Sequence, residues 1–255
     1  NDVPAATGVT FTPLPEHIGL PIQVRVSGNH AKYTPAMAKS ALISNVGLPT
    51  AQRIMGKSRV ETAVAVSQKS HKDGDGGAVI VTTGWNYPDS LAATPFAAKL
   101  RAPLLLTERD VLPVSTVTEI QRIKPNEIIV LGGSVAVSDG VFAALGAIEG
   151  VDADVRRIAG KSRYETAEMI VREGWGSPGV DEAFVATGEH FADALAAGAA
   201  AAAKDIPVVL VNGKQSAASS SSIKLLDDLG VRSVRIAGGE VAISTGIEQT
   251  ILPGL

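Results

Sequence analysis

The chain has 255 residues, 45% of them hydrophobic, with 23 basic and 26 acidic side chains, enough for one large domain or two small ones. A formal charge of −3 excludes the basic footprint of a general nucleic-acid binder. The absence of cysteine excludes a disulfide scaffold, a thiolate zinc site, an iron–sulfur cluster and a cysteine nucleophile. The Ala-rich run at 192–203 falls short of the roughly 20 apolar residues a membrane helix needs, so no membrane insertion is expected.

In chain order, Pro21-Ile-Gln-Val-Arg-Val reads as a strand, and Thr34-Pro35 as an N-cap followed by proline in a first helical turn. Ser58-Arg-Val-Glu61 then fits a capping box opening a helix over 59–69. Val- and Ile-rich runs at 78–82 and 127–131, with leucines at 104–106, read as buried strands. Helical spacing fills 88–100 and 114–123 between them, and Ser138 reads as a further N-cap. Ser162-Arg-Tyr-Glu165 repeats the capping box, followed by strands at 183–186, 208–211 and 234–237 and an N-cap at Ser244.

That second series is a copy of the first. Arg53-Ile-Met-Gly-Lys-Ser-Arg-Val-Glu-Thr-Ala63 returns as Arg157-Ile-Ala-Gly-Lys-Ser-Arg-Tyr-Glu-Thr-Ala167, with nine of eleven positions identical at an offset of 104. The same offset relates Thr83-Gly84 to Thr187-Gly188, Asp89 to Asp193 and Pro103 to Pro207, and it becomes 106 at Gly132-Gly133 and Gly238-Gly239. The division is an N-terminal segment at 1–50, one repeat at 51–152 and a second at 153–255. Residues 14–50 align weakly with 118–154 and read as the tail half of a degenerate repeat, with an unrelated N-terminal arm as the alternative. The chain stops where another Arg-Ile-x-Gly would begin, as a slice of a longer array would. Strand alternating with helix predicts parallel sheets with helices on both faces: an α/β fold of tandem three-layer, Rossmann-like modules.

In such a fold Gly56-Lys-Ser-Arg59, Thr83-Gly84 through Asp89, and Gly132-Gly-Ser134 share the carboxyl edge of the sheet, where ligands usually bind and helix N-termini favour anions. Lys57, Arg59, Lys161 and Arg163 add positive charge there. The alternatives are that these motifs serve only as caps and turns and that the arginines pair with Asp89 or Asp193. Gly-Lys-Ser looks like the end of a phosphate-binding loop, but Ala51 and Val155 stand where its first glycine belongs. Histidines at 17, 30, 71 and 190 are scattered, no nucleophile elbow is present, and each carboxylate recurs a whole repeat apart. No catalytic or metal-binding residues are expected.

Arg-Ile-x-Gly-Lys-Ser-Arg-Tyr-Glu-Thr-Ala, Thr-Gly-x-x-Phe-x-Asp-Ala-Leu-Ala-Ala, Pro-Leu-Leu-Leu-Thr and Leu-Gly-Gly-Ser-x-Ala-Val-Ser together resemble the type 2 cell wall-binding repeat of Gram-positive surface and S-layer proteins. The resemblance implies an extracellular, surface-located protein held non-covalently by an anionic secondary wall polymer, polysaccharide or teichoic-acid-like. It implies neither catalysis nor a cofactor, and usually three modules in a pseudo-threefold trimer, which a homo-oligomer could complete. It links the Pro-Ile-Leu-Leu-type motif to polymer binding, here Pro103, Leu104, Leu105 and Leu106. The second copy departs after Pro207, reading Val208-Val-Leu-Val211. With Lys57, Arg59, Asp89, Lys161, Arg163 and Asp193, these are the expected polymer contacts. The rival readings are a self-assembling lattice module that does not itself hold the polymer, and a small-molecule enzyme or sensor on the same frame.

Overall fold

A computed structural model describes residues 14–17, 20–42, 53–85, 91–176 and 178–251. The chain divides into two compact units, 1–53 and 54–255. In the first, a short 3-10 turn at Pro15–His17 precedes an antiparallel hairpin of β1 (Arg25–His30) and β2 (Tyr33–Lys39). The helix expected from Thr34-Pro35 is therefore a strand. Thr-Pro suits a helix start, but Tyr33–Lys39 pairs with Arg25–His30 as an exposed ribbon and has no buried helical stripe. Every strand of a two-stranded ribbon is an edge, where proline is tolerated.

The larger unit opens with α1 (Arg59–Ser70), β3 (Ala78–Thr83), α2 (Ala93–Leu100) and β4 (Leu104–Thr107). It continues through α3 (Val114–Ile123), β5 (Glu127–Leu131), α4 (Asp139–Gly146) and β6 (Asp154–Ile158). The pattern then recurs as α5 (Arg163–Trp175), β7 (Glu182–Thr187), α6 (Phe191–Lys204), β8 (Val208–Val211), α7 (Ser220–Leu229), β9 (Ser233–Ala237) and α8 (Thr245–Thr250). The serines read as caps do cap: Ser58, Ser162, Ser138 and Ser244 each accept a backbone N–H from three residues on. Helix α2 begins at Ala93; the turn expected at Pro88 lies outside the described residues.

Both sheets are wholly parallel, ordered β4-β3-β5-β6 and β8-β7-β9. In the first sheet Val79, Val81, Ile128 and Val130 pack with Val64 of α1, Ile120 and Ile123 of α3, and Val141 and Leu145 of α4. Their neighbours Ile80, Ile129 and Leu131 point the other way, into a cluster with Phe96 of α2 that runs on into the second repeat. This period-2 division is why the strands read as continuous apolar runs.

The repeats are fused rather than strung. Strand β6, on the second repeat's side of the boundary drawn at 152/153, hydrogen-bonds to β5 of the first, with Glu127 opposite Asp154 and Leu131 opposite Ile158. Helix α2 packs on α5 and α6, where small residues allow close approach. A Cβ on Gly174 would stand 3.0 Å from the Phe96 ring, and one on Gly198 3.4 Å from Thr94 Cβ. The Ala-rich segment at 192–203 is this packing helix, with Ala194, Ala197 and Ala201 buried. No helix among the described residues is long and apolar enough to cross a membrane.

Candidate functional site

The most strongly repeated motif is a closed hydrogen-bonded turn at the carboxyl end of each sheet. In the first copy the Gly56 N–H donates to Thr62 Oγ1 (3.0 Å), the Lys57 N–H to Glu61 Oε2 (2.6 Å), and the Glu61 N–H to Ser58 Oγ (3.2 Å). The second copy repeats this at Gly160–Thr166 (3.0 Å), Lys161–Glu165 (2.7 Å) and Glu165–Ser162 (3.2 Å). A Cβ at Gly56 or Gly160 would lie 2.2 or 2.3 Å from the Cβ of Glu61 or Glu165, so only glycine fits. Most of the motif's identity is thus explained by a turn that closes on itself.

The arginines act at a distance in sequence. Arg59 Nη1 donates to the Gly84 carbonyl at 2.6 Å, and Arg163 Nη1 to the Gly188 carbonyl at 2.6 Å, each tying the helix start to the loop after the first strand. Arg157 of β6 donates to the carbonyls of Gly132 and Val137, both at 2.8 Å, and reaches Asp139 at 3.2 Å. The leading arginine of the second motif therefore holds the Gly-Gly-Ser loop of the first repeat. Sequence reasoning missed that partnership, because nothing in the sequence marks a carbonyl 25 residues upstream as its acceptor.

The expected site residues separate into two groups. Lys57 and Lys161 are exposed, and their ammonium groups make no ion pair among the described residues; Arg59 is exposed and Arg163 half-buried. Leu106 joins this edge: its Cδ1 lies 3.5 Å from where a Cβ on Gly84 would stand, beside Arg59 Cδ at 3.1 Å. The rest of the Pro-Leu-Leu-Leu motif does not. Pro103 and Leu105 are buried, Leu104 is half-buried against the inter-repeat core, and Pro207 is buried at the start of β8. The Pro103 and Pro207 carbonyls accept from Ile80 and Phe184 at the far end of the strands, so these prolines start the strands rather than face a polymer. Asp193 sits half-buried on α6, with Oδ2 3.0 Å from a Cβ position on Gly238, and forms no ion pair with an arginine among the described residues; Asp89 lies outside them.

The two copies differ beside the arginine. In repeat 1 the residue after Gly84 is Trp85, with the Arg59 guanidinium 4.9 Å from its ring centroid. In repeat 2 the corresponding Glu189 accepts a short hydrogen bond from the Tyr164 hydroxyl. That bond, with Arg163, Lys214 and His190 nearby, outweighs the cost of desolvation and holds the Glu189 carboxyl below the ordinary glutamate value. Burial and the same bond push the Tyr164 phenol upward. No cluster of three metal-ligating side chains occurs among the described residues.

The family model of Cell wall binding domain 2 (CWB2) matches residues 53–142 and again 157–248. The chain belongs to this family. It is 28% identical over 196 residues to the N-acetylmuramoyl-L-alanine amidase LytC of Bacillus subtilis, covering 77% of this chain and 38% of that protein. It is 34% identical over 199 residues to the Amidase enhancer of the same organism, covering 78% of this chain and 26% of that one. Among solved structures it resembles Cwp8 from Clostridium difficile, with TM-score 0.71 and 26% identity over 91% of this chain and 40% of that one. Cwp6 from the same organism gives 0.70 and 26%, over 89% of this chain and 34% of that one. The chain thus spans between about a quarter and two-fifths of each of these proteins' lengths. It is a cell wall or surface-associated protein built from tandem α/β cell wall-binding repeats.

Proposed function

We propose that the chain anchors a larger surface protein to the cell wall by binding an anionic secondary polymer, and that it performs no chemistry itself. The observation that carries this reading is the duplicated sheet edge. Lys57 with Arg59 and Lys161 with Arg163 stand at two helix N-termini of one fused unit, with both lysines unpaired among the described residues. Helix N-termini supply partial positive charge, and two modest cationic sites in one rigid frame suit a repetitive anionic chain through avidity. The Gly-Lys-Ser turns that resemble a phosphate-binding loop are closed by Glu61 and Glu165, which argues against a nucleotide enzyme. The test is co-sedimentation with purified walls, intact and stripped of secondary polymer. Retention lost on stripping supports the reading; equal retention points to peptidoglycan and overturns it.

An assembly role is favoured by a separate observation. The β5 edge is covered by β6 and the Gly132 loop is held by Arg157, whereas β9 has no outer neighbour among the described residues. Gly132 is buried while Gly238 is exposed. We infer that a further repeat, in a longer chain or a second copy, supplies the missing strand and arginine and completes the pseudo-threefold set. Sedimentation velocity over a range of concentrations tests the second-copy form: a constant monomer mass contradicts it.

A further inference from the structure

We propose that Trp85 is the sugar-stacking residue of repeat 1, and that it makes the two repeats unequal: repeat 1 grips a pyranose ring beside an anionic group, and repeat 2 has no indole beside its arginine. This rests on the polymer-binding reading above. Trp85 is 54% exposed, whereas the other tryptophan, Trp175, is 6% exposed and donates its Nε1–H to the Asp205 carbonyl at 3.0 Å. Trp85 is also oriented. Its backbone N–H donates to Thr83 Oγ1 at 3.3 Å, which fixes the main chain, and the ring itself lies against the Arg59 guanidinium, which is held on the Gly84 carbonyl 4.9 Å from the ring centroid.

A single exposed aromatic is ordinary by itself; what marks Trp85, two residues past the end of β3, is the guanidinium held against its ring. The chemistry around it selects the ligand. A cation packed on the ring and forming no ion pair among the described residues, with Lys57 two residues before it, favours a ligand that is both flat-faced and anionic. A sugar ring meets the indole with its C–H face, and an adjoining phosphate or carboxylate meets the guanidinium and ammonium. A free phosphate would use the cations without needing the indole. An apolar peptide would use the indole without needing the cations. Repeat 2 lacks an indole at this position, because Glu189 replaces the tryptophan and Tyr164, where repeat 1 has Val60, occupies its hydroxyl on that carboxylate.

The test compares wild type, Trp85→Ala, Trp85→Phe and Glu189→Trp in retention by intact walls, with polymer-stripped walls as the control. Acrylamide quenching of tryptophan emission is followed with and without soluble polymer released from those walls. Trp85→Ala should weaken retention by about tenfold, the size of one good aromatic contact, while Trp85→Phe recovers most of it. Polymer should shield wild-type emission from acrylamide but leave Trp85→Phe, which reports Trp175, unaffected. Glu189→Trp should tighten retention. Wild type and Trp85→Ala retained equally, with no shielding, overturns the role of Trp85 and leaves polymer binding standing. Wild type unretained by intact walls overturns both.

Discussion

Glu119→Ala should destabilise the chain more than any other single carboxylate change. The Glu119 side chain is fully buried on α3, where Oε1 accepts from Ser67 Oγ at 2.5 Å and Arg122 Nη2 at 2.7 Å. Its Oε2 accepts from Arg122 Nε at 2.8 Å and Gln68 Nε2 at 3.4 Å. Arg122, 19% exposed, has one other carboxylate partner, the exposed Asp73, at 2.7 Å. Removing Glu119 leaves a mostly buried guanidinium with only the exposed Asp73 and strands a buried serine hydroxyl, which costs about 3 kcal/mol. That is a large part of a domain's ~5–15 kcal/mol. Repeat 2 displays the apolar alternative: Leu225 stands at the position of Glu119 and Val171 at that of Ser67, with Arg172 and Asp228 pairing nearer the surface at 2.9 Å. The triple variant Ser67→Val/Glu119→Leu/Arg122→Met should therefore lie within about 2 kcal/mol of wild type. Urea unfolding followed by far-UV circular dichroism measures both. A Glu119→Ala loss under about 1 kcal/mol, or a triple variant no better than Glu119→Ala, would refute this account of the buried pair.

The same group sets an acid limit. Desolvation would raise its pKa, but Arg122, Ser67 and Gln68 outweigh it and hold it below the ordinary glutamate value. Its stabilisation is thus complete above the unfolded-state value and lost as pH falls through the folded one, so Glu119→Gln should flatten the fall in melting temperature below about pH 4.3. Gly56→Ala or Gly160→Ala should lower the melting temperature sharply, since the new Cβ meets Glu61 or Glu165 at 2.2 or 2.3 Å; an unchanged melt would contradict the closed-turn geometry. Phe96→Ala, at 1% exposure between the repeats, should cost about 3–5 kcal/mol and separate the unfolding of the two halves, seen as a second transition in calorimetry. Arg59→Ala with Arg163→Ala should weaken wall retention and also loosen the loops at Gly84 and Gly188, detectable as faster amide exchange there. Lost retention with unchanged exchange would assign them to the polymer alone.

The elements legible in the sequence were those with local causes. The capping boxes at Ser58 and Ser162 announce α1 and α5, and the Val/Ile runs announce β3 and β5, because caps and periodicity act within a few residues. Strand β6 was not legible. Asp154-Val-Arg-Arg-Ile158 is polar for a strand, and its arginines are satisfied by groups distant in sequence, Arg156 on Glu127 and Glu173 and Arg157 on the Gly132 loop and Asp139. The hairpin at Arg25–His30 and Tyr33–Lys39 was misread because Thr34-Pro35 suits both a helix start and an edge strand. At the site, charge was legible and geometry was not. The four cationic positions were found from the repeat, whereas the burial of Pro103 and Leu105 follows from β4 entering the core. Trp85 was passed over because it breaks the repeat instead of obeying it.

Direct titration of the chain with soluble secondary polymer, freed of peptidoglycan, at 50, 150 and 500 mM salt tests the central claim most closely. The account predicts saturable binding that weakens steadily with salt, as contacts from Lys57, Arg59, Lys161 and Arg163 to an anionic chain require. Binding indifferent to salt, or no binding to polymer alongside firm binding to bare peptidoglycan, would contradict it.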